Sequence, residues 1–177
     1  MLKTAYIVCG SPGAGKTFYG KELAKLKQAI FLDIDTATER LVRLALQLSG
    51  QDPNDRDSLY FKSNFRNPIY EQLFDIAQDN LLWNDVVITG PFTKEIKDPD
   101  WANKLSTRLG VPVQVHYVFC PPSIRQARIR DRNNPRDLAK LALGKITYFI
   151  TRRNCHQLVN ISWLIILLIK KSRNKEF

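Results

Sequence analysis

Residues 10–17 form the stretch Gly10-Ser11-Pro12-Gly13-Ala14-Gly15-Lys16-Thr17, which fits the pattern G-x-x-x-x-G-K-[ST] of a phosphate-binding loop. The apolar residues before it, Ala5 to Cys9, predict a buried strand. Phe18 to Lys27 after it predicts a helix, with Phe18, Leu23 and Leu26 as its apolar positions. This order of strand, loop and helix is the context in which the loop pattern is specific.

The residue types of the loop suit a nucleoside triphosphate. Glycines let the backbone adopt positive φ and approach phosphate oxygens closely, and the N–H groups of the loop and helix N-terminus then point at the anion. Lys16 can reach the β- and γ-phosphates, and the Thr17 hydroxyl can ligate Mg²⁺. We therefore assign residues 10–17 to ATP binding. A plain glycine-rich turn is the alternative, but it gives Lys16 and Thr17 no purpose.

The composition predicts a single domain without a structural metal or disulfide. A chain of 177 residues can bury a core of its own. Its three cysteines lie far apart in sequence, and we interpret Cys9 and Cys120 as small buried hydrophobes. The apolar run Ala5 to Cys9 is shorter than the core of a signal peptide, about 7–15 residues. We expect a cytoplasmic protein with no transmembrane segment.

Strand and helix patterns alternate along the chain. Further strands are predicted at residues 29–33, 85–89 and 111–119, and further helices at 38–48, from Pro68, at 101–109 and from Pro121. This alternation predicts a three-layer α/β fold, a parallel sheet with helices on both faces. Ligands of such sheets bind at the carboxyl ends of the strands, where the loop, Asp33, Asp35 and Thr89 would meet.

Two of these helices are predicted in more detail. The helix at 38–48 should bury one face, made of Leu41, Leu44, Ala45 and Leu48. The next helix should have Pro68 as its first residue, because proline suits that position. Its apolar stripe should consist of Ile69, Leu73, Ile76, Ala77 and Leu81.

Two carboxylates follow the second predicted strand. Asp33 or Asp35 could hold Mg²⁺ through water together with Thr17, and Asp35 could accept the proton of a substrate hydroxyl. The alternative role for Asp35 is to cap a helix that starts at Thr36. The third strand ends in Thr89-Gly90-Pro91-Phe92, without the carboxylate of a Walker B site. This absence disfavours a motor-type ATPase and favours a small kinase.

Arginines crowd the predicted helix after the fourth strand, at positions 125, 128, 130 and 132. Arg128 and Arg132 lie on one face of this helix and could form a lid that closes over the migrating phosphate. The alternative is a solvated basic helix with local ion pairs such as Arg128–Asp131. Arg66 is a candidate anion clamp for the substrate, or an ordinary surface arginine. We interpret His116, alone in a strand, as structural.

With these residues assembled, the segment 1–142 resembles P-loop kinases of the shikimate/gluconate kinase and nucleoside monophosphate kinase group. Asp33-x-Asp35 is similar to the acidic motif of their second strand, and Arg128 and Arg132 match their lid arginines. Val87-Ile88-Thr89-Gly90 is similar to the T-G segment of shikimate kinases, although Pro91 replaces a further glycine. Three segments, 52–57, 90–93 and 134–137, also resemble small bacterial AAA-family ATP-binding proteins. The resemblance implies a kinase that uses ATP and Mg²⁺.

The last residues depart from this resemblance. The net charge of the chain is +10, but residues 1–137 hold 19 Lys and Arg against 16 Asp and Glu, a net +3. Residues 138–177 hold eight against one, a net +7. We therefore treat 143–177 as an atypical basic and apolar tail, with a frameshift near Ala142–Leu143 as the hypothesis. The alternative is a genuine fifth strand followed by a basic extension, and the intact mass with the sequence of the locus would distinguish the two.

Three functions are compatible with these residues. The first is a kinase that transfers the γ-phosphate of ATP to a hydroxyl of a small metabolite, with Lys16, Asp35, Arg128 and Arg132 as the catalytic set. The second is a polynucleotide 5′-hydroxyl kinase, but the net charge of +3 over residues 1–137 offers little basic surface for a nucleic acid. The third is a nucleotide-binding regulator that catalyses no transfer. None of the motifs described above identifies the phosphate acceptor.

Overall fold

A computed structural model describes residues 2–137 and 161–165 of the chain. The strands are β1 (Ala5–Cys9), β2 (Ile30–Asp33), β3 (Val86–Thr89), β4 (Val113–Phe119) and β5 (Ile161–Ile165). The helices are α1 (Lys16–Lys27), α2 (Ile34–Leu48), α3 (Leu59–Asn64), α4 (Arg66–Leu81), α5 (Trp101–Leu109) and α6 (Pro122–Asp131). Two single turns of 3₁₀-helix, Glu95–Lys97 and Pro135–Asp137, follow β3 and α6.

The strands form one parallel sheet in the order β2-β3-β1-β4-β5. All five residues of the central strand β1 are buried, as expected for a strand covered on both faces. Its residues alternate between two core clusters: Ile7 packs in a cluster with residues of α4 and α5, and Val8 packs with Leu23 and Ala24 of α1. The predicted fold class, a parallel sheet between two layers of helices, is confirmed.

The buried face of α2 differs from the prediction. Val42 and Leu46 are its buried residues, whereas Leu41, Leu44 and Leu48 are exposed. The helix begins at Ile34, directly after β2 at the edge of the sheet. It therefore packs partly on other helices: Val42 and Leu46 form a separate cluster with residues of α3 and α4.

The predicted buried face of α1 and the predicted start and buried stripe of α4 were also wrong in part. In α1, Leu23 is buried as predicted, but Phe18 and Leu26 are exposed, and Gly20 and Ala24 complete the buried face. Helix α4 begins at Arg66, so Pro68 is its third residue, still within the first turn where a missing N–H breaks no helical bond. Its buried stripe contains Leu73, Ala77 and Leu81, as predicted, together with two aromatic residues that the prediction omitted, Tyr70 and Phe74.

Helix α3 was not predicted, because its sequence is short and its apolar residues show no helical repeat. Its start is defined by Ser58, whose hydroxyl accepts a hydrogen bond from the N–H of Phe61 at 3.0 Å. Asp55 in turn accepts hydrogen bonds from the N–H groups of Asp57 and Ser58. These side-chain contacts give the segment before α3 a defined shape and place Asp57 on the cavity described below.

The last strand lies within the segment that the sequence marks as atypical. Strand β5 pairs with β4 in a register that runs from Val115 opposite Ile161 to Phe119 opposite Ile165. The frameshift hypothesis and the basic extension concern residues that otherwise lie outside the described part of the chain. Within residues 2–137 and 161–165, no helix is long and apolar enough to cross a membrane.

Gly20 provides a test of how tightly α1 packs on the sheet. A Cβ at this position would lie 2.4 Å from Cγ2 of Thr89 and 2.8 Å from Cε2 of Phe31. Alanine normally stabilises a helix interior by about 1 kcal/mol relative to glycine, but overpacking costs about 1–3 kcal/mol. The cost should cancel or exceed the gain, so we expect Gly20→Ala to lower the free energy of unfolding by up to about 2 kcal/mol, measured by urea denaturation. Glu22→Ala on the exposed face is the control, and a Gly20→Ala variant that is about 1 kcal/mol more stable than the wild type would contradict the packing.

Candidate functional site

The loop after β1 has the backbone shape that its glycines predict. Gly10 has φ of 144° and Gly13 has φ of 75°, a region that residues with a Cβ rarely adopt. A Cβ at Gly10 would lie 2.5 Å from the carbonyl oxygen of Val118, and one at Gly13 would lie 2.9 Å from that of Arg125. The loop therefore lies directly against β4 and α6, with no room for side chains at these two positions.

The N-terminus of α1 is open to an anion. Gly15 is the N-cap residue and provides no side-chain hydrogen bond, and the first turn contains no acidic residue. The N–H groups of this turn lack helical acceptors and can bind phosphate oxygens. Lys16 lies at the same end and donates from Nζ to the carbonyl oxygen of Ser11 at 3.0 Å. This arrangement is what binding of a phosphate chain requires.

Asp33 connects three elements beside the loop. Its Oδ2 accepts hydrogen bonds from the hydroxyls of Thr17, at 3.1 Å, and Thr89, at 2.7 Å. Its Oδ1 accepts from the N–H groups of Asp35 and Thr36, both at 3.1 Å. Asp33 is therefore the N-cap of α2, and the alternative that Asp35 caps this helix is wrong. Asp33 can cap α2 because β2 ends at this residue and α2 follows directly, without a loop.

The pair of Thr17 and Asp33 fits a magnesium ion. Both supply hard oxygen ligands, and Mg²⁺ in phosphate sites usually takes one or two protein oxygens and completes its shell with phosphate and water. Among the residues that the structure describes, no group of three or more His, Cys, Asp or Glu could hold a metal. Thr17 and Asp33 thus suit an ion whose remaining ligands are phosphate and water.

Asp35 lies next to this pair and takes part in a chain of ion pairs. Arg136 donates from Nη1 to Oδ1 of Asp35 at 3.1 Å and to Oε2 of Glu39 at 2.6 Å. Arg56 donates from Nη2 to the same Oε2 of Glu39 at 3.0 Å. Sequence reasoning did not assign Glu39, Arg56 or Arg136 to the site. The only signal for Arg136 was the resemblance of segment 134–137 to AAA-family proteins.

The arginines of α6 have three different environments. Arg125 is buried and donates from Nε to the carbonyl oxygen of Cys120 at 3.0 Å, so it holds the start of the helix. Arg128 donates from Nη1 to the loop carbonyls of Gly13 and Ala14, each at 3.4 Å. Arg130 is exposed. Arg128 thus contacts the phosphate-binding loop rather than a neighbour on its own helix.

Arg132 follows α6 as its C-cap and is paired with a buried carboxylate. Its Nε lies 2.6 Å from Oδ2 of Asp137, and the Asp137 side chain is almost completely buried. Arg132 and Arg128 both line the cavity described below. The predicted lid pair is therefore brought to the loop, with Arg132 held by a carboxylate from the following 3₁₀ turn.

Arg66 also reaches the site, but its charge is already paired. Its Nη2 lies 3.0 and 3.2 Å from the two carboxylate oxygens of Glu95, and its guanidinium stacks 5.5 Å from the ring centre of Tyr70. Glu95 belongs to the 3₁₀ turn after β3, far from Arg66 in sequence. No sequence pattern indicated this pair.

The residues interpreted as structural have structural contacts. Nδ1 of His116 is 2.7 Å from the hydroxyl of Tyr19, and burial lowers the pKa of the imidazole. Cys9 and Cys120 are buried and free. Burial raises the pKa of Cys9 to about 12, so this thiol is protonated at neutral pH.

One cavity of about 540 Å³ unites these groups. Each predicted catalytic, metal and substrate residue lines it: Lys16, Thr17, Asp33, Asp35, Arg66, Arg128 and Arg132. Its wall also contains residues that the sequence did not predict as site residues: Glu39, Arg56, Asp57, Lys62, Tyr70 and Arg136. Of the loop, Pro12, Gly13 and Gly15 reach the wall, whereas Gly10, Ser11 and Ala14 are not among its lining residues.

The sheet order, the glycine loop and this cavity define a P-loop protein with a kinase fold. Residues 6–148 match the sequence profile of the AAA domain family, and the chain belongs to that family. No curated protein sequence matches the chain. The predicted family resemblance is thereby confirmed.

Solved structures support the same fold at low sequence identity. A sugar kinase from a Janibacter species is 16% identical with a TM-score of 0.57, over 93% of this chain and 84% of that one. A gluconokinase from Sinorhizobium meliloti is 14% identical with a TM-score of 0.56, over 95% and 85%. A structure of the PezAT chromosomal toxin–antitoxin system of Streptococcus pneumoniae is 19% identical with a TM-score of 0.53, over 93% and 68%.

The site predicts a pH dependence of nucleotide binding. Burial lowers the pKa of Lys16 from 10.5 to about 8. A polyphosphate beside the ammonium favours its charged form, so binding should take up a proton above pH 8. We expect the nucleotide Kd, measured by calorimetry, to be level near pH 7 and to rise about tenfold per pH unit above pH 8.

Lys16→Met provides the control for this measurement, because it removes the titrating group and should bind weakly with little slope. A wild-type Kd that stays level from pH 7 to 9.5 would show that Lys16 does not titrate against the bound phosphates.

Proposed function

We propose that this protein is an ATP-dependent kinase that transfers the γ-phosphate to a hydroxyl of a small metabolite, with Mg²⁺ as cofactor. The observation that carries the proposal is the single cavity that joins the phosphate-binding loop to the carboxylate of Asp35 and to Arg128 and Arg132. The kinase fold of the structural neighbours supports it at the level of fold.

The loop end of the cavity would hold the phosphates. Backbone N–H groups at the start of α1, with the ammonium of Lys16, would bind the β- and γ-phosphate oxygens. Arg128, which already contacts the loop, would add charge close to the migrating phosphoryl group. Thr17 and Asp33 would hold Mg²⁺, whose charge would help to neutralise the transferred phosphoryl group.

Asp35 would act at the other end of the transferred phosphate. The acceptor oxygen forms a bond to the γ-phosphorus as the bond from phosphorus to the leaving ADP oxygen breaks, and the hydroxyl proton passes to the carboxylate of Asp35. The ion pair with Arg136 orients this carboxylate without burying it, since the Asp35 side chain is 62% exposed. The hydrogen bond from the N–H of Asp35 to Asp33 holds the backbone at this position.

The cavity offers little support for a polynucleotide acceptor. Nucleic-acid binding depends on cations that neutralise backbone phosphates, yet Arg56, Arg66 and Arg136 each pair with a carboxylate of this chain. Most of the acidic side chains of the chain also lie in the part up to residue 137, and such side chains repel the phosphates of a nucleic acid. A screen of ATP consumption against a metabolite pool and an oligonucleotide pool separates the two acceptors directly.

Asp35→Asn tests the assignment of the base. We expect kcat to fall by about 10²–10⁴-fold, while the Kd for ATP changes far less, because the carboxylate acts on the acceptor hydroxyl. Asp79→Asn, at an exposed position of α4, is the matched control and should keep wild-type turnover. Lys16→Ala should abolish turnover and marks the background of the assay.

An unchanged kcat in Asp35→Asn would remove Asp35 from the role of base. Tight ATP binding without transfer to any acceptor in either pool would instead favour a nucleotide-binding regulator without catalysis.

A further inference from the structure

The cavity has two ends that differ in how their cations are paired. At the loop end, the ammonium of Lys16 and the guanidinium of Arg128 donate to backbone carbonyls. A carbonyl oxygen carries no full charge, so both cations retain an uncompensated positive charge for an incoming anion. This end suits the phosphates of a nucleotide.

We use the term acceptor end for five other lining residues, which come from α2, α4 and the segment before α3: Glu39, Arg56, Asp57, Arg66 and Tyr70. Each of its arginines has a carboxylate partner from this chain: Arg56 pairs with Glu39 at 3.0 Å, and Arg66 pairs with Glu95 at 3.0 Å. The neighbouring Arg136 is shared between Asp35 and Glu39. The guanidinium charges at this end are therefore already neutralised. Lys62 also lines the cavity and donates to the backbone carbonyl of Asp57, and the carboxylate of that same residue balances its charge.

Pairing of this kind disfavours an anionic acceptor. A carboxylate or phosphate that bound Arg66 would have to displace Glu95, whose side chain is only 21% exposed. Separating a partly buried pair leaves one charge without compensation, which is costly. Glu95 thus occupies Nη2 of the guanidinium, and this pairing argues against a role for Arg66 as an anion clamp.

The acceptor end nevertheless offers unused hydrogen-bonding groups. Within the described residues, Oδ2 of Asp57 and Nε of Arg66 are buried and have no hydrogen-bond partner. Buried polar atoms nearly always have one, and both residues line the cavity, so a bound ligand can supply the missing partners. One atom accepts and the other donates, and a hydroxyl group can serve both.

Apolar surface accompanies these polar atoms. Phe61, Ile69 and Tyr70 line the same end and can contact the C–H groups of a ring or carbon chain. Burial raises the pKa of Tyr70 to about 12, so its phenol stays neutral and adds no charge to the wall.

We propose that the acceptor is an uncharged compound with several hydroxyl groups, of the aldose or polyol class, and that Glu95 determines this specificity by occupying Arg66. The inference rests on the proposed kinase function for the fate of the bound hydroxyl, but binding at the acceptor end does not require transfer. Asp57 accepts a hydrogen bond from one hydroxyl, and Arg66 donates through Nε to another.

Saturation-transfer NMR tests the proposal with the full chain, Mg²⁺ and a non-hydrolysable ATP analogue. One pool contains aldoses and polyols, and the matched pool contains the aldonic acids and monophosphates of the same carbon skeletons. We expect the wild type to bind neutral members at least tenfold more tightly than their anionic counterparts. Glu95→Gln should reduce this ratio at least tenfold, because Arg66 becomes available to an anion.

Two further variants make the result specific. Glu71→Gln is the matched control, since Glu71 pairs with Arg108 on α5, outside the cavity lining, and should keep the wild-type ratio. Asp57→Asn should weaken binding of the neutral members at least tenfold while the Kd of the nucleotide stays the same. The nucleotide Kd also reports whether each variant is folded.

The outcomes separate this proposal from the kinase function. Equal or tighter binding of anionic members by the wild type, an unchanged ratio in Glu95→Gln, or no binding of any neutral member would overturn it. When the same pools are assayed with ATP in place of the analogue, phosphorylation of an anionic member would overturn it while the kinase function stands. Binding of a neutral member without phosphate transfer would support it while the kinase function fails.

Discussion

The carboxylate of Asp33 is the constraint on which the rest of the site depends. Through Oδ2 it joins the hydroxyl of Thr17 on α1 to that of Thr89 on β3. Through Oδ1 it caps α2. Because one side chain sets the start of α2 against the start of α1, it also sets where Asp35 and Glu39 lie relative to the phosphate-binding loop. Loss of this carboxylate would disturb the candidate metal site and the position of the candidate base together.

Local parts of the fold could be predicted from the sequence. The strand, loop and helix around residues 5–27 follow from a short apolar run, three glycines at positive φ and a helical pattern. Helix α5 was predicted with its bounds, because Gly110 ends it with φ of 71°. Such features depend on neighbours in sequence, and those are visible without a structure.

The buried face of α2 could not be predicted from neighbouring residues in the sequence. Its leucines at 41, 44 and 48 have helical spacing, yet they are exposed, and Val42 and Leu46 are buried instead. The spacing of apolar residues gives a possible face, but the packing partner decides which face is used. Here α2 follows the edge strand β2 directly and packs partly against α3 and α4. Helix α3 was not predicted from the sequence, so the effect of its packing on which face of α2 is buried could not be predicted either.

The residues of the site also fall into two groups, those in short sequence motifs and those that pair with residues distant in sequence. Lys16, Thr17, Asp33 and Asp35 were predicted because each lies in a short motif. The groups that we propose to act on the acceptor pair across long stretches of chain, 29 residues between Arg66 and Glu95 and 101 between Asp35 and Arg136. An arginine considered alone predicts an anion site, but the same arginine beside a carboxylate of its own chain disfavours one. Charge at a binding site is therefore a property of pairs, and the fold has to be known before these pairs can be counted.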